Sequence, residues 1–144
     1  MDERTLRLHG PVLLASGKTD CWKCQSPTVV HAILASGVDE VDGDGAPVVI
    51  DESVFIYGVA TQDLPSAVAE AIAIAAPTFK PILSQASREV AWCNACQHCG
   101  ALQGGVFVHN EPESPFFGGP VAFKGTTTLL SEGGFDVGAA SYSF

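Results

Sequence analysis

Basic residues are scarce in this chain: seven Lys and Arg stand against sixteen Asp and Glu across 144 residues, for a formal charge of −9. The seven are scattered as Arg4, Arg7, Lys18, Lys23, Lys80, Arg88 and Lys124. Nucleic-acid binders draw most of their affinity from clustered cations that neutralise phosphates. Without such a cluster, nucleic acid is not an expected partner. Long apolar runs are missing too, and no segment approaches the roughly 18 apolar residues of a spanning helix. The opening stretch MDERTLRLHGPVLLASG mixes acid and base around a short apolar run, which is not the pattern of a secretory leader. A cytoplasmic location away from membranes is expected, in a compartment where thiols stay reduced. The chain also lacks a G-x-S-x-G elbow, an H-E-x-x-H pair and a phosphate loop, so no enzyme is expected. No repeat and no heptad pattern stands out.

What is present describes a packed globular protein, with 47% hydrophobic and 16% charged residues. At this length one domain, 1–144, can bury a core without cross-links. The expected fold class is α+β, mainly antiparallel β with one clear helix. β-branched and apolar residues predict strands over 27–36, 47–50 and 53–60. The helix is expected over about 64–75, with Asp63 as N-cap, Pro65 in the first turn and Pro77 as the stop. Leu64, Val68 and Ile72 share one face, and Glu70 is the only charge between the caps, so burial is expected. Residues 79–93 lead extended chain into a cysteine cluster, and 104–109 read as a strand or short helix. The tail 111–144 is turn-rich, with Phe116, Phe117, Phe123 and Phe135 as aromatic anchors.

Five cysteines carry the chemistry. Cys21-Trp22-Lys23-Cys24 and Cys96-Gln97-His98-Cys99 are two C-x-x-C pairs. A tight turn across two residues lets both sulfurs converge on one ion, with backbone N–H groups donating to the thiolates, and four thiolates make a closed tetrahedral zinc site. The predicted metal ligands are therefore Cys21, Cys24, Cys96 and Cys99, with one structural Zn2+ per chain. The zinc subsite draws on 19–26 and 93–105, and the strands and helix of 35–88 form a long insertion between its halves. Gly100 suits the left-handed backbone common after such a knuckle, whereas the same slot in the first knuckle holds Gln25. Buried thiols with coincidental spacing and a redox pair are the alternatives. Cys93 reads as a small buried hydrophobe, with substitution for Cys96 the other option. His98 is expected at the surface of its turn, and His31 as a satisfied core histidine.

Two further patterns fall short of known sites. His109-Asn110-Glu111 is an H-x-E triplet, which zinc deaminases place before P-C-x-x-C; here the order is reversed and Ala95 replaces the proline. Glu40, Asp42, Asp44, Gly45 and Asp51 fall at positions of a calcium-loop frame, but Glu40 at the start and Pro47 at the eighth position spoil it.

The residues CWKC and CQHCGALQG resemble a group of small bacterial proteins with a zinc-ribbon-like or treble-clef-like knuckle pair. Their pattern, Asn-x-Cys-x-x-Cys-Gly-x-x-Gln-Gly followed by apolar residues and a Glu-Pro, is met by Asn94, Cys96, Cys99, Gly100, Gln103, Gly104, Phe107, Glu111 and Pro112. The resemblance implies zinc on Cys21, Cys24, Cys96 and Cys99, leaves Cys93 outside, and implies little about activity. The expected function is a zinc-stabilised binding protein, most concretely an immunity- or inhibitor-like protein. Asp39, Glu40, Asp42, Asp44, Asp51 and Glu52 could steer such a protein onto a basic protein partner, although a merely solvated loop 39–52 accounts for them equally well. A nucleic-acid-associated zinc ribbon is one alternative. A metalloenzyme served by His109 and Glu111 is the other.

Overall fold

The structure, a computed structural model, describes residues 5–41, 47–83, 88–104, 114–138 and 140–143. In chain order these form β1 (Thr5–Leu8), β2 (Val12–Asp20), β3 (Pro27–Ala35), β4 (Val38–Val41), β5 (Val48–Ile50), β6 (Val54–Tyr57), a 3-10 turn (Thr61–Asp63) and helix α1 (Ser66–Ala75). There follow β7 (Phe79–Leu83), β8 (Val90–Ala95), β9 (Leu102–Gln103), a one-turn helix α2 (Gly119–Ala122), β10 (Thr126–Ser131), β11 (Phe135–Val137) and β12 (Ser141–Ser143). Every strand pair described is antiparallel, α1 is the one substantial helix, and the two cysteine pairs meet from distant parts of the chain.

Strand β3 shows why the centre forms. Side chains alternate across a strand, and here Val30 and Ala32 face one way while Ile33 and Ala35 face the other, all buried. A strand apolar on both faces has to sit inside, and β3 lies between β2 and β6 in a sheet of order β10-β2-β3-β6-β12. One face packs against a second sheet, β11-β1-β4-β5, through Leu6, Leu8, Leu14, Ile33 and Ile56, with Val68 and Ile72 of α1 completing this core. The opposite face holds a smaller cluster of Ala15, Val30, Ala32, Phe55 and Phe116, with Phe123 against it. Phe55 lies 5.0 Å from Phe116 and 5.6 Å from Phe123, ring centre to ring centre. Each fully buried Phe contributes up to about 3 kcal/mol. Two of the four anchors predicted in the tail, Phe116 and Phe123, therefore close the back of the sheet. Phe135 packs partly buried against the larger core, while Phe117 stays exposed.

The helix departs from its expected start. Asp63 does not cap it: the N-cap is Pro65, with no side-chain bond, and the Asp63 carboxylate accepts the Gly138 N–H at 2.9 Å instead. A tertiary donor has claimed the carboxylate, and proline supplies the extended entry that a cap would otherwise fix. Nor is α1 well buried. Leu64, Val68 and Ile72 turn inward as their spacing predicts, but Ile74 is 84% exposed. Alanines on the outer face leave little apolar surface that needs covering, so a narrow inward stripe suffices.

No helix of the described residues is long and apolar enough to cross a membrane.

Candidate metal centre

Both cysteine pairs sit at hairpin tips. Cys21 to Cys24 join β2 to β3, whose ladder runs out to the pair Asp20–Pro27. Cys96 to Cys99 join β8 to β9, which pair at Ala95–Leu102 in the third sheet, β7-β8-β9. The two tips are built alike. In the first, the Cys21 N–H donates to Ser26 O and the Gln25 N–H to Cys21 O; in the second, Cys96 N–H donates to Ala101 O and Gly100 N–H to Cys96 O. The residue after each second cysteine is left-handed, Gln25 at φ 62° and Gly100 at φ 76°. The knuckle thus demands that backbone at both tips, and Gln25 adopts it at a cost of about 1 kcal/mol relative to glycine.

The second hairpin is brought to the first by side chains. β6 pairs with β3 only at Ile33, Leu34 and Ala35. Along the rest of that edge every second residue of β3 bonds a side chain from around the second tip. Asn94 accepts the His31 N–H at 2.8 Å and donates to His31 O at 2.9 Å. The Val29 N–H donates to Gln97 Oε1 at 3.3 Å, and His98 Nε2 lies 2.9 Å from Pro27 O. Gln97 also donates its N–H to Thr28 Oγ1 at 3.0 Å, and Trp22 Nε1 donates to Leu102 O at 2.7 Å. Asn94 is only 4% exposed, and there its amide fills the place of a strand neighbour, as unpaired backbone groups would be costly in so buried a spot.

Docked this way, the sulfurs of Cys21, Cys24, Cys96 and Cys99 all lie within 4.8 Å of one another. The Cys21–Cys99 and Cys24–Cys96 sulfur separations are 3.6 Å and 3.7 Å. Four sulfurs at about 2.3 Å from a central ion would stand about 3.8 Å apart, whereas a disulfide would need about 2.05 Å. Donors surround the sulfurs: Lys23 N–H at 3.4 Å and Gln103 Nε2 at 3.3 Å on Cys21, and His98 N–H at 3.3 Å on Cys96. Gln103, 1% exposed, also donates to Ala101 O at 2.9 Å and so links the second tip to a sulfur of the first.

These contacts shift the thiols apart. Burial works against ionising Cys21, yet the Cys24 and Lys23 N–H groups and the Gln103 amide outweigh it and bring the thiol down to about 6. The Cys99 and His98 N–H groups likewise lower Cys96. The Ala101 N–H favours a Cys99 thiolate, but desolvation and the three neighbouring sulfurs push Cys99 up to about 11. Like charges crowded together cannot all ionise unless a cation sits among them. The cluster is positioned to hold a metal ion.

The remaining expectations fall out residue by residue. Cys93 lies outside the cluster, half-buried on β8 and raised by desolvation. His31 is a core histidine with its Nδ1 2.7 Å from Ser16 Oγ, and burial pulls it from 6.5 down to about 4. His98 is at the surface of its turn, as predicted. His109 and Glu111 of the H-x-E triplet, and Asp42, Asp44 and Gly45 of the calcium frame, lie outside the described residues; the frame's flanks β4 and β5 pair with each other as strands. Sequence reasoning missed the bonds of Gln97 and His98 to β3, since polar residues within a knuckle carry no pattern that points to a strand far away in the chain.

No protein-family model matches the chain, and no curated protein or solved structure does either. Of the resemblance drawn from the two knuckles, the four-cysteine cluster is the part the structure contains.

Proposed function

We propose that Cys21, Cys24, Cys96 and Cys99 hold one structural Zn2+ as thiolates, and that the protein is a cytoplasmic binding protein and not an enzyme. The observation that carries the metal reading is the set of four sulfurs within 4.8 Å, drawn from two hairpin tips of the same construction. Four cysteine ligands fill a tetrahedral shell and leave no position for water or substrate, which argues for a staple over a catalyst. The N–H donors on Cys21 and Cys96 offset part of the charge of four thiolates around a divalent ion.

The partner we propose is a basic protein, met in the manner of an inhibitor or immunity protein through long-range attraction to a chain of charge −9. Two of the acids expected to steer it are already engaged: Asp39 lies 2.9 Å from His9 Nε2, and Glu40 accepts the Tyr142 hydroxyl at 2.7 Å. Asp51 and Glu52, both exposed, are the described members of the group available to a partner.

Elemental analysis of protein purified without added metal, with thiol titration before and after chelation, tests the metal. One zinc per chain with four protected thiols and one free is the expected result; no metal with paired cysteines would overturn it. For the partner, a protein captured by the wild type should be lost or weakened several-fold by Asp51→Asn with Glu52→Gln. Undiminished capture would remove the acidic steering from the account.

A further inference from the structure

On the far side of β2 from β3, β10 pairs only as far as Thr126 with Ser16, so Gly17 to Asp20 have no β10 partner along that edge. A cavity of about 490 Å³ opens there. Val29, Pro115 and Ala122 give it apolar walls, and Lys18, Lys124 and Thr126 give it polar ones. Glycines shape it: a Cβ on Gly17 would collide with Pro115, and one on Gly125 with the Ser16 carbonyl. β2 can approach the Pro115 segment this closely only because Gly17 lacks a side chain, and the chain entering β10 can approach β2 only because Gly125 does.

The charge is what sets this cavity apart. Two of the seven basic residues in a chain of charge −9 meet at it. Among the described residues neither Lys18 nor Lys124 has an ion pair or hydrogen bond, although Arg7 elsewhere is held by Asp136 at 3.0 Å. A volume in the range of small-molecule sites, apolar walls and two unpartnered ammonium groups together define an occupant with an apolar body and an anionic end. We propose that this cavity binds a small organic anion, a carboxylate, sulfonate or phosphate on an apolar or aromatic frame, with Lys18 and Lys124 holding the charge and Val29, Pro115 and Ala122 the body.

The full chain, metal content verified, is titrated with anilinonaphthalene sulfonate, followed by its fluorescence. A single saturable site is expected, and phenylnaphthylamine, the same frame without the sulfonate, should bind about tenfold more weakly. Replacing both ammonium groups, Lys18→Met with Lys124→Met, should also weaken the sulfonate about tenfold, as two partly solvated charge contacts would. Ala122→Trp, which fills the cavity from an exposed position and keeps both lysines, should abolish binding. Equal affinity for the neutral frame, an unchanged affinity in the double variant, or binding that survives Ala122→Trp would each overturn the assignment. Zinc content and near-ultraviolet circular dichroism matching the wild type confirm that each variant is folded.

Discussion

Asn94→Ala tests how the two hairpins are joined. The Asn94 amide makes both of its bonds to the backbone of one residue, His31, at 2.8 Å and 2.9 Å, and is 4% exposed. Truncation leaves a buried N–H and a buried C=O with no strand to take them, because β6 reaches only to Ile33. Each such group costs about 1–3 kcal/mol, and partial access of water to the new space trims the sum to about 3 kcal/mol. With a urea slope of about 1–3 kcal/mol per molar, the unfolding midpoint in excess zinc should fall by about 1–2 M. A second readout locates the effect: hydrogen exchange at the His31 amide should lose protection, while that of Ile33, whose strand partner is β6, falls only with global stability. A midpoint shift under about 0.3 M, or a His31 amide as protected as before, would mean that Asn94 does not join the hairpins and that the Gln97, His98 and Trp22 bonds and the cysteine cluster do so without it.

Cys96→Ser should lose the metal and with it the folded second hairpin, since binding free energy at such a site is folding free energy, whereas Cys93→Ser keeps full metal content and shifts stability by under about 1 kcal/mol; equal losses in both, by elemental analysis and thermal melting, would overturn the ligand assignment. Gln25→Gly should stabilise the protein by about 0.5–1 kcal/mol and Gly100→Ala destabilise it by about 1 kcal/mol, because both positions are left-handed; the same sign for both in urea melts would contradict the matched knuckles. His31 in the folded protein sits near 4, below its unfolded 6.5, so the unfolded chain takes up the proton first as acid is added. Stability from this group is fully present above about pH 6.5 and is lost as pH falls toward 4, by roughly 2–3 kcal/mol. His31→Leu should flatten that slope between pH 6.5 and 5 in excess zinc, and an unchanged slope would assign the acid sensitivity to other groups.

The parts of this structure legible in the sequence were those set by local rules. The C-x-x-C pairs show themselves by spacing, strand β3 by a β-branched apolar run ending in a turn, and the inward stripe of α1 by its four-residue period. β1, β2, β9 and the three strands of the tail are not legible in the sequence, and β4 lies where the Gly- and Asp-rich acidic stretch reads as a loop. ASGKTD in β2 is polar or small and TTTLLS in β10 does not alternate apolar with polar, and they become strands because β3 and β2 offer them a ladder, which is a tertiary fact. Asp63 shows the same limit at a single residue: its position made it a cap, but Gly138, far along the chain, decided what it bonds. The docking bonds of Gln97 and His98 were invisible for that reason too. Asn94 and Gln103 drew notice only through the resemblance of their motif, and the structure supplies the physical reason, a strand surrogate in one case and a donor to Cys21 in the other.

The half-covered edge of β3 bears on how this protein would fail. Among the described residues, the central strand from Pro27 to His31 is sealed on one side by three side chains and by no other strand, and those side chains belong to a hairpin that carries Cys96 and Cys99. If the four cysteines hold the proposed ion, removing it loosens that hairpin and exposes a row of N–H and C=O groups along the edge of a central, largely buried strand. Such an edge is a template for pairing with another copy. On the proposed metal reading, starvation for the ion would be felt as loss of solubility before it is felt as loss of the core, and the cysteine cluster would serve, in effect, as a guard against self-association.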